Sequence, residues 1–420
     1  MIVLIRGTLA LAGSGEMSET MVEVHKALIS RSEPRGKALF LDTPAGFQEN
    51  ADLLSLRAVK YFQEKVQYDM EVASFKSSEV AATEQAKQVY RLVNGASYLL
   101  MGPGSPTYTV RNLKETPIPA LLISMITRGG SLMASSAAAL TIGTHTIPVY
   151  EIYKVGEPLY WIEGMNILGS LGLDLVVIPH WDNAEGGNHD TRYCYMGEKR
   201  LRGLEEQLPA DSTILGIDEH TVIIFNFISR EAIIKGIGKV TLRKGGFEQR
   251  FRRGEVIDFN SLIDSPSGIT YQPHTCEAHN LNSFDAEFLA EKPFWEHLHN
   301  IETDFHSALD KKDMTTLITK LLETDSYLWK VQNDLENPEF ISQGRELFRE
   351  MIVLAGTAID YATFDLPSNF KVLVNEMILL RDKYRKEKQW TAADHIRDRL
   401  LEVGVVVEDT NEGTRWHFVK

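Results

Sequence analysis

Apolar runs alternate with amphipathic segments along the chain up to about residue 250. The strand-like runs are TLALAG, GKALFLDTPAG, YDMEVASF, ASYLLMGPG and GSLMASS, and most of them close on Gly, Pro or Ser. Between them, segments such as ETMVEVHKALI and EQAKQVYRLVNG carry apolar residues at helical spacing. This alternation predicts an α/β fold, a doubly wound layer with a mostly parallel sheet, in which ligands bind at the carboxyl ends of the strands.

The pattern changes at about Ser212, where short apolar runs are joined by glycine turns and predict an antiparallel extension of the same domain. Residues 264–275, DSPSGITYQPHT, predict a linker because they are rich in Pro, Ser, Gly and Thr. Long periodic helices then predict an antiparallel α-helical bundle, followed by a small unit made of a helical hairpin and a β-hairpin. We therefore expect three domains, at residues 1–262, 276–364 and 371–420.

Composition narrows the class of protein. The chain has 420 residues, of which 43% are apolar and 24% charged, and this suits two or three folded domains. Its two cysteines, Cys194 and Cys276, lie far apart, which argues against a disulfide framework or zinc finger and favours a reducing cytoplasm. No apolar run approaches the roughly 20 residues that span a bilayer, and Arg6 interrupts the N-terminal run, so neither a membrane span nor a signal peptide is expected. The net charge of −14 argues against broad nucleic-acid binding, although it allows one local basic surface.

Ser136 is the candidate nucleophile. It follows the run GSLMAS, at the predicted junction of a strand and a helix, where a sharp turn can expose the hydroxyl. Such a turn needs small residues two positions before and after the serine, and Ala134 and Ala138 stand there. Ser135 fits less well because Met133 precedes it by two. The alternative interpretation is a small-residue helix start packed against the sheet.

Two further features surround this serine in the predicted fold. His180 follows the apolar run LGLDLVVIP, so it is expected at the carboxyl end of a strand, where a general base could reach Ser136. The turn Gly102-Pro103-Gly104-Ser105 follows the strand ASYLLM, and its amides could bind an oxyanion. A structural histidine and an ordinary turn are the competing interpretations.

These motifs together resemble the dipeptidase E and cyanophycinase family of serine peptidases, which have a class I glutamine amidotransferase-like fold. The resemblance covers about residues 7–258 and rests on GSGE, GPGSP, ASSAAA, VIPHWDNAEGGNHDTR and GIDEHT in that order. It implies Ser136 as the nucleophile and His180 as the general base. For the third member it leaves two choices open, Glu151 and Glu219.

The same resemblance implies further roles. The oxyanion hole would use the amide of Ala137 with one from the turn Gly102, Gly104 and Ser105. Arg192 would receive a substrate carboxylate, a task that suits its guanidinium fork. The substrate would be a peptide or amide with an acidic group, and neither a cofactor nor a metal is needed.

The chain also departs from the family pattern G-x-S-A-G. Ala134 and Ala138 replace both glycines, and Pro103 interrupts the glycine turn. These changes leave a second hypothesis open, a hydrolase fold that has lost catalysis and serves as a scaffold in tRNA binding or regulation. A third hypothesis, an amidotransferase-like enzyme acting on glutamine, is weaker because the nucleophile is Ser instead of Cys.

Basic residues concentrate near the C-terminus. Residues 381–399 hold seven basic and four acidic side chains, with Tyr384 and Trp390 among them. Cations interleaved with aromatic rings suit single-stranded RNA, in which bases stack and phosphates meet Lys or Arg. From composition alone, the alternative is a solvated, salt-bridged helix face.

The segment from Val374 onward resembles the anticodon-binding end of cysteinyl-tRNA synthetases, through RDKYRKEKQWTAADHIRDRL and the hairpin EDTNEGTRW. The helices at about residues 280–362 are similar to the helical bundle of those enzymes. The resemblance implies binding to a tRNA, first of all a cysteine tRNA, and it names as candidate contacts Arg397, Asp409, Arg415 and Trp416. The chain has no HIGH-like or KMSKS-like motif, so aminoacylation is not expected. The leading prediction is a cytoplasmic serine hydrolase joined to a tRNA-binding unit, and a homo-oligomer is compatible with the sequence.

Overall fold

The computed structural model of the protein describes residues 4–33, 35–186, 189–263, 293–311, 313–333, 338–358, 368–402, 404–410 and 413–418. The chain divides into two compact units, Met1–His299 with Tyr327–Leu347 and Asn300–Ser326 with Phe348–Lys420. The predicted linker at 264–275 and Cys276 lie outside the described residues. The division into three domains stays a prediction.

Strands fill the N-terminal part. They are β1 (Thr8–Ala12), β2 (Lys37–Leu41), β3 (Met70–Ala73), β4 (Ala96–Met101), β5 (Ser131–Ser135), β6 (His145–Thr146), β7 (Ile162–Glu163), β8 (Leu175–Ile178), β9 (Thr213–Ile217), β10 (Thr221–Asn226), β11 (Glu231–Gly236), β12 (Lys239–Lys244), β13 (Phe247–Arg252) and β14 (Val256–Asp258). One sheet has the order β14-β11-β10-β1-β5-β4-β2-β3, in which β1 to β5 run parallel and β10, β11 and β14 are antiparallel. This is the predicted doubly wound layer with its antiparallel extension.

Helices cover both faces of this sheet. They are α1 (Val22–Arg31), α2 (Ala51–Tyr61), α3 (Glu84–Gly95), α4 (Pro106–Leu113), α5 (Ile118–Arg128), α6 (Ala137–Leu140), α7 (Ile167–Ser170), α8 (Gly197–Glu205) and α9 (Phe259–Ile263). Successive side chains of a strand point to opposite faces, so Leu9 and Leu11 of β1 pack in one core while Ala10 and Ala12 pack in another. The sequence of a strand that is buried on both faces is a continuous run of apolar residues, so the strands at the centre of this sheet can be recognised from the sequence.

A second sheet, which the sequence analysis did not predict, has the order β13-β12-β9-β8. Its strands β8 and β9 are parallel, with Leu175 opposite Thr213 and Ile178 opposite Gly216. Both strands are fully buried, as are β1, β4, β5 and β10 of the large sheet. Their carboxyl ends lead into the loops that carry His180 and Glu219, so the second sheet sets the position of those two residues.

Helices and one hairpin make up the rest of the described chain. They are α10 (Pro293–Asp310), α11 (Met314–Asn333), α12 (Pro338–Ala358), α13 (Ser368–Lys386), α14 (Trp390–Glu402), β15 (Val405–Thr410) and β16 (Gly413–Phe418). The elements α13 to β16, called here the C-terminal module, pack around Val374, Ile378, Leu400 and Val405. This confirms the predicted helical hairpin and β-hairpin. None of the described helices is long and apolar enough to cross a membrane.

Candidate active site

Ser136 occupies a strained turn between β5 and α6. Its backbone has φ 54° and ψ −122°, and its amide donates to the carbonyl of Ala12 at 3.1 Å. A positive φ is costly for a residue with a Cβ, and such strain is typical of a nucleophile elbow. Ala134 and Ala138 are fully buried in one core cluster, so the elbow forms with alanine at both positions.

His180 lies two residues after β8, as predicted, and its Nε2 is 2.8 Å from the Oγ of Ser136. Its backbone also has a positive φ, 49°, and its carbonyl accepts the amide of Cys194 at 3.0 Å. The side chain is 16% exposed, so it is held in the protein but still open to a reacting group. The ring of Tyr195 lies beside it, with the two ring centroids 6.3 Å apart.

Glu219 completes a hydrogen-bonded series. Its Oε1 is 2.6 Å from Nδ1 of His180 and also accepts the side-chain amide of Asn183 at 3.1 Å. The Glu219 backbone amide donates to Oδ1 of Asp182 at 2.7 Å. A carboxylate at Nδ1 holds the proton on that nitrogen and leaves Nε2 as the acceptor for the serine hydroxyl. Burial raises the pKa of Glu219, but the hydrogen bond and charge of His180 outweigh it, so the carboxyl pKa lies below its ordinary value.

Glu151, the other candidate acid, makes a different contact. It opens a π-helical turn, Glu151–Val155, and its Oε2 accepts the hydroxyl of Thr107 at 2.9 Å. Thr107 belongs to the first turn of α4, directly after the glycine turn. The described geometry therefore brings Glu219 to His180 and holds Glu151 beside the glycine turn.

The candidate oxyanion turn runs from Gly102 to Ser105. The amide of Ser105 donates to the carbonyl of Pro44 at 2.9 Å, and its hydroxyl caps α4, so the predicted role of that amide does not fit this geometry. Gly104 passes so close to Pro44 that an added Cβ would lie 1.8 Å from its carbonyl oxygen. Ala137 is the first residue of α6, where a helix leaves its amide without an internal acceptor. The amides of Ala137, Gly102 and Gly104 remain the candidates.

Arg192, the predicted carboxylate receptor, is already paired. Its Nε and one terminal nitrogen donate to the two oxygens of Asp190 at 2.9 and 2.8 Å, and its guanidinium lies 5.0 Å from the ring centre of Tyr193. The hydrogen bonds from Arg192 hold the pKa of Asp190 well below its ordinary range. Asp190 occupies one edge of the guanidinium, and the Arg192 side chain is half exposed, so its role as a receptor for a substrate carboxylate stays a prediction.

Several residues of the site were not assigned by the sequence analysis. Asp182 and Asn183 belong to the motif VIPHWDNAEGG and Glu16 to the motif GSGE, but only a three-dimensional arrangement gives them partners. The hydroxyl of Tyr195 donates to Oε2 of Glu185 at 2.7 Å.

Cys194 is buried, which raises the pKa of its thiol to about 12, so the thiol stays protonated at neutral pH. Within the described ranges no group of three or more His, Cys, Asp or Glu could hold a metal ion.

In the C-terminal module, the candidate Asp409 is paired within the module itself. It accepts Arg381 through both of its oxygens, at 2.9 and 2.8 Å, and Arg385 at 2.6 Å. The hydrogen bond from Arg381 lowers the pKa of Asp409 to about 2. Asp409 therefore supports the fold of the module, with Arg381 only 2% exposed.

The other three candidates differ in their contacts. The indole nitrogen of Trp416 donates to Oδ1 of Asn375 at 2.9 Å, and its ring packs against the module's core. Arg397 lies within 3.3 Å of Asp394 and is about half exposed. Arg415 stands opposite Glu408 in the β15–β16 ladder and is also exposed. The two arginines are therefore more accessible to a ligand than Trp416.

The described chain thus consists of an α/β part, in which Ser136, His180 and Glu219 are joined by hydrogen bonds, and a helical and hairpin region. A solved structure of a peptidase from an acI-B1 Actinobacterium matches the chain with a TM-score of 0.51 and 26% identity. The match covers 61% of this chain and 98% of that one. The predicted peptidase resemblance of the N-terminal part is thus confirmed.

The C-terminal part has a different set of relatives. Residues 372–416 match the family described as the cysteinyl-tRNA ligase anticodon binding domain. The chain is 32% identical over 128 residues to a cysteine–tRNA ligase from Buchnera aphidicola, and this match covers 29% of this chain and 27% of the ligase. A cysteine–tRNA ligase from Heliobacterium modesticaldum is 41% identical over 88 residues, 19% of this chain and 17% of that one. The predicted C-terminal resemblance is confirmed, and the chain spans well under half the length of these ligases.

Proposed function

We propose that the protein is a serine hydrolase that cleaves an amide or ester through an acyl-enzyme and carries a tRNA-binding module. The observation that carries this proposal is the series Ser136, His180 and Glu219, joined at 2.8 and 2.6 Å on a strained elbow. A histidine with only a structural role does not require a hydrogen bond from one ring nitrogen to a strained serine and from the other to a carboxylate. The likeness to a solved peptidase supports the class of reaction.

In the first half of the proposed reaction, Oγ of Ser136 attacks the scissile carbonyl as its proton passes to Nε2 of His180. Glu219 stabilises the imidazolium that forms and keeps its ring in place. The amides of Ala137 and of the Gly102–Gly104 turn face the developing oxyanion. The tetrahedral intermediate collapses when His180 gives the proton to the leaving nitrogen or oxygen, and an ester on Ser136 remains.

In the second half, water replaces the leaving group. Nε2 of His180 takes a proton from the water as it attacks the ester carbonyl, and the second intermediate expels Oγ, which recovers that proton. The products are a carboxylic acid and an amine or alcohol. The side chains of Ser136, His180 and Glu219 and a water molecule are sufficient for both halves, so neither half requires a cofactor.

We further propose that the C-terminal module binds tRNA, with a cysteine tRNA as the first candidate. The match of residues 372–416 to an anticodon-binding family supports this partner. A hydrolase carried on such a module would act best on a tRNA-linked substrate. Equal turnover of free and tRNA-linked forms of one substrate would reject that link.

The test of the hydrolase is covalent labelling of the full chain with an alkyl fluorophosphonate, read by intact-mass spectrometry. We expect one adduct on the wild type and none on Ser136→Ala. Ser135→Ala is the matched control, because it removes the neighbouring hydroxyl and should still be labelled. An adduct that persists on Ser136→Ala would reject Ser136 as the nucleophile.

The same labelling decides the alternative hypothesis of a catalytically inactive scaffold. That hypothesis predicts a folded wild-type protein that takes no adduct while a cysteine tRNA transcript still binds. In the scaffold case, tRNA binding becomes the function of the whole chain.

A further inference from the structure

Three successive residues beside His180 have left-handed backbone conformations. Tyr193, Cys194 and Tyr195 have φ values of 60°, 54° and 69°. None of them is a glycine, and a residue with a Cβ is strained at such angles. A run of strained residues next to a catalytic histidine is the kind of feature that marks a functional segment. The proposed catalytic cycle does not use this segment.

Hydrogen bonds fix the segment against the candidate general base. The amide of Cys194 donates to the carbonyl of His180 at 3.0 Å, and the amide of Tyr195 donates to the carbonyl of Thr191 at 2.9 Å. The hydroxyl of Tyr195 is held in turn by Oε2 of Glu185 at 2.7 Å. These contacts keep the ring of Tyr195 beside the imidazole of His180, with the two centroids 6.3 Å apart.

Tyr195 is the first of a row of rings that leads away from His180. The ring centroid of Tyr153 lies 5.2 Å from that of Tyr195, and His189 lies 6.3 Å beyond Tyr153 with its plane within 17°. The hydroxyl of Tyr153 and Nε2 of His189 are 3.1 Å apart. Tyr195, Tyr153 and His189 are called here the aromatic row. The two tyrosines are half-buried and His189 is exposed, so the row presents surface to a ligand.

The row also borders the candidate oxyanion turn. Tyr153 lies in the π-helical turn that begins at Glu151, and Glu151 accepts the hydroxyl of Thr107 at 2.9 Å. Thr107 is in the first turn of α4, which directly follows the Gly102–Ser105 turn. The elements of the row therefore contact the surroundings of the scissile carbonyl at both the histidine and the oxyanion turn.

The leaving group of the substrate must lie near this row. In the proposed cycle, Nε2 of His180 gives its proton to the leaving nitrogen or oxygen, so those two atoms come within hydrogen-bond distance. The ring of Tyr195 lies beside the same imidazole. A side group carried by the leaving amine or alcohol is therefore within reach of the aromatic row.

The charges around the row favour a neutral ligand. The ammonium of Lys154 lies 5.4 Å from the ring centre of Tyr153, where it disfavours a second cation. Glu185 accepts the hydroxyl of Tyr195, and its charge disfavours an anion. Burial raises the pKa of the Tyr195 hydroxyl, so the phenol is neutral at pH 7. Neutral aromatic rings suit such a surface, because ring pairs gain more than the burial of their area alone.

We propose that the aromatic row binds an aromatic ring of the leaving group, so that the hydrolase cleaves amides or esters whose amine or alcohol carries such a ring. The inference rests on the proposed serine hydrolase and names its preferred leaving group. Amides of aromatic amino acids and esters of arylalkyl alcohols have this chemistry. Contact of the ring with Tyr195 and Tyr153 places the leaving atom next to Nε2 of His180, ready for protonation.

The test compares two esters with the same acetyl group, 2-phenylethyl acetate and 2-cyclohexylethyl acetate. The two alcohols are similar in size and acidity, so their intrinsic reactivities are matched. The full chain is used, and the release of each alcohol is followed by chromatography. We expect kcat/KM for the phenyl ester to exceed that for the cyclohexyl ester by about fivefold or more, the effect of one or two ring pairs. Tyr195→Leu should lower this ratio to about twofold or less.

Tyr160→Leu is the matched control. Tyr160 is also half-buried, and its hydroxyl also donates to a glutamate, Oε2 of Glu157 at 2.8 Å, but it lies outside the aromatic row. This variant should leave the ratio unchanged. Tyr195→Phe keeps the ring and should keep the ratio as well. An equal loss of activity on both esters in Tyr195→Leu would make the ring a support of His180 alone and would reject the proposal.

The outcomes separate this site from the hydrolase itself. If the fluorophosphonate labels Ser136 but wild type cleaves the two esters equally, the aromatic site is rejected while the hydrolase stands. If neither ester is cleaved, the protection of Ser136 from the label by 2-phenylethanol is compared with that by 2-cyclohexylethanol, and equal or absent protection rejects the site. If Ser136 takes no label at all, the hydrolase fails. Should Tyr195→Leu not fold, Tyr153→Leu removes the next ring and must also lower the ratio.

Discussion

The serine centre and the C-terminal module relate sequence to structure in opposite ways. The serine centre consists of Ser136, His180 and Glu219, which come from three segments far apart in the sequence. Each of the motifs that resemble the peptidase family is short. In the module, the resemblance is concentrated in residues 372–416, yet its candidate Asp409 is bound by two arginines of the same module. A matched residue therefore indicates ancestry, whereas its neighbours decide whether the side chain is free for a ligand.

The difference follows from what each region has to hold in place. At the serine centre, hydrogen bonds of His180 and Asn183 converge on a single oxygen of Glu219, and backbone strain is concentrated in the same loops. Strain of this kind persists only where the surrounding structure fixes it, and it gathers at functional sites. In the module, charged pairs connect α13 to the hairpin and stabilise a small core. Similar polar residues thus form the proposed catalytic centre in one region and stabilise the fold in the other.

The largest effect should come from Glu219→Gln. The amide would donate to Nδ1 of His180 and move the imidazole proton to Nε2, so no acceptor would remain for the Ser136 hydroxyl. We expect the rate of fluorophosphonate labelling to fall by about 10²- to 10⁴-fold. Glu151→Gln, the control, should stay within about threefold of wild type, since its contact is with Thr107. The reverse order would make Glu151 the acid of the triad.

A smaller effect is expected in the module from Asp409→Asn. The change leaves the buried guanidinium of Arg381 with Asp382 alone as its acidic partner. Breaking a fully buried pair costs about 3–5 kcal/mol, but Asp409 is 43% exposed, so solvent screening reduces our expectation to about 1–2 kcal/mol. Hydrogen exchange of residues 404–418 in the full chain should rise accordingly. Asp394→Asn, which alters an exposed pair with Arg397, should leave that exchange unchanged.

The contribution of Asp409 should also depend on pH. Its pKa is about 2 in the folded chain against an ordinary 3.8, because Arg381 donates to it. As the pH falls below about 4, the unfolded chain binds the proton first, so the stabilisation is full above pH 4 and is lost toward pH 2. The difference between wild type and Asp409→Asn should therefore be larger at pH 7 than at pH 3. An equal difference at both would show that Asp409 acts through packing alone.

Much of the fold could be predicted because β1, β4 and β5 are buried on both faces, as is β2 after its first residue, and they appear as apolar runs between amphipathic helices. The second sheet could not, since β8 and β9 are equally apolar and nothing in the pattern assigns them to another sheet. Ser136 and His180 could be placed at strand ends. The choice between Glu219 and Glu151 depends on side-chain contacts and on positive φ angles in loops. These are not encoded in periodicity, and neither are the ring contacts of Tyr195.

The smallest effect should follow from Arg397→Ala, which probes whether the module binds RNA through its exposed cations. Arg397 is about half exposed, and nearby Asp394 and Asp398 weaken its field. Removing one cation that meets a phosphate should lower the affinity for a cysteine tRNA transcript by about three- to tenfold and reduce the slope of log K against log salt by about one. Arg91→Ala on α3 is the matched control, because it removes a similarly exposed arginine paired with Glu84. Equal decreases in affinity for both variants would mean that tRNA responds to overall charge, and the module would then resemble the anticodon-binding family in fold and not in binding surface.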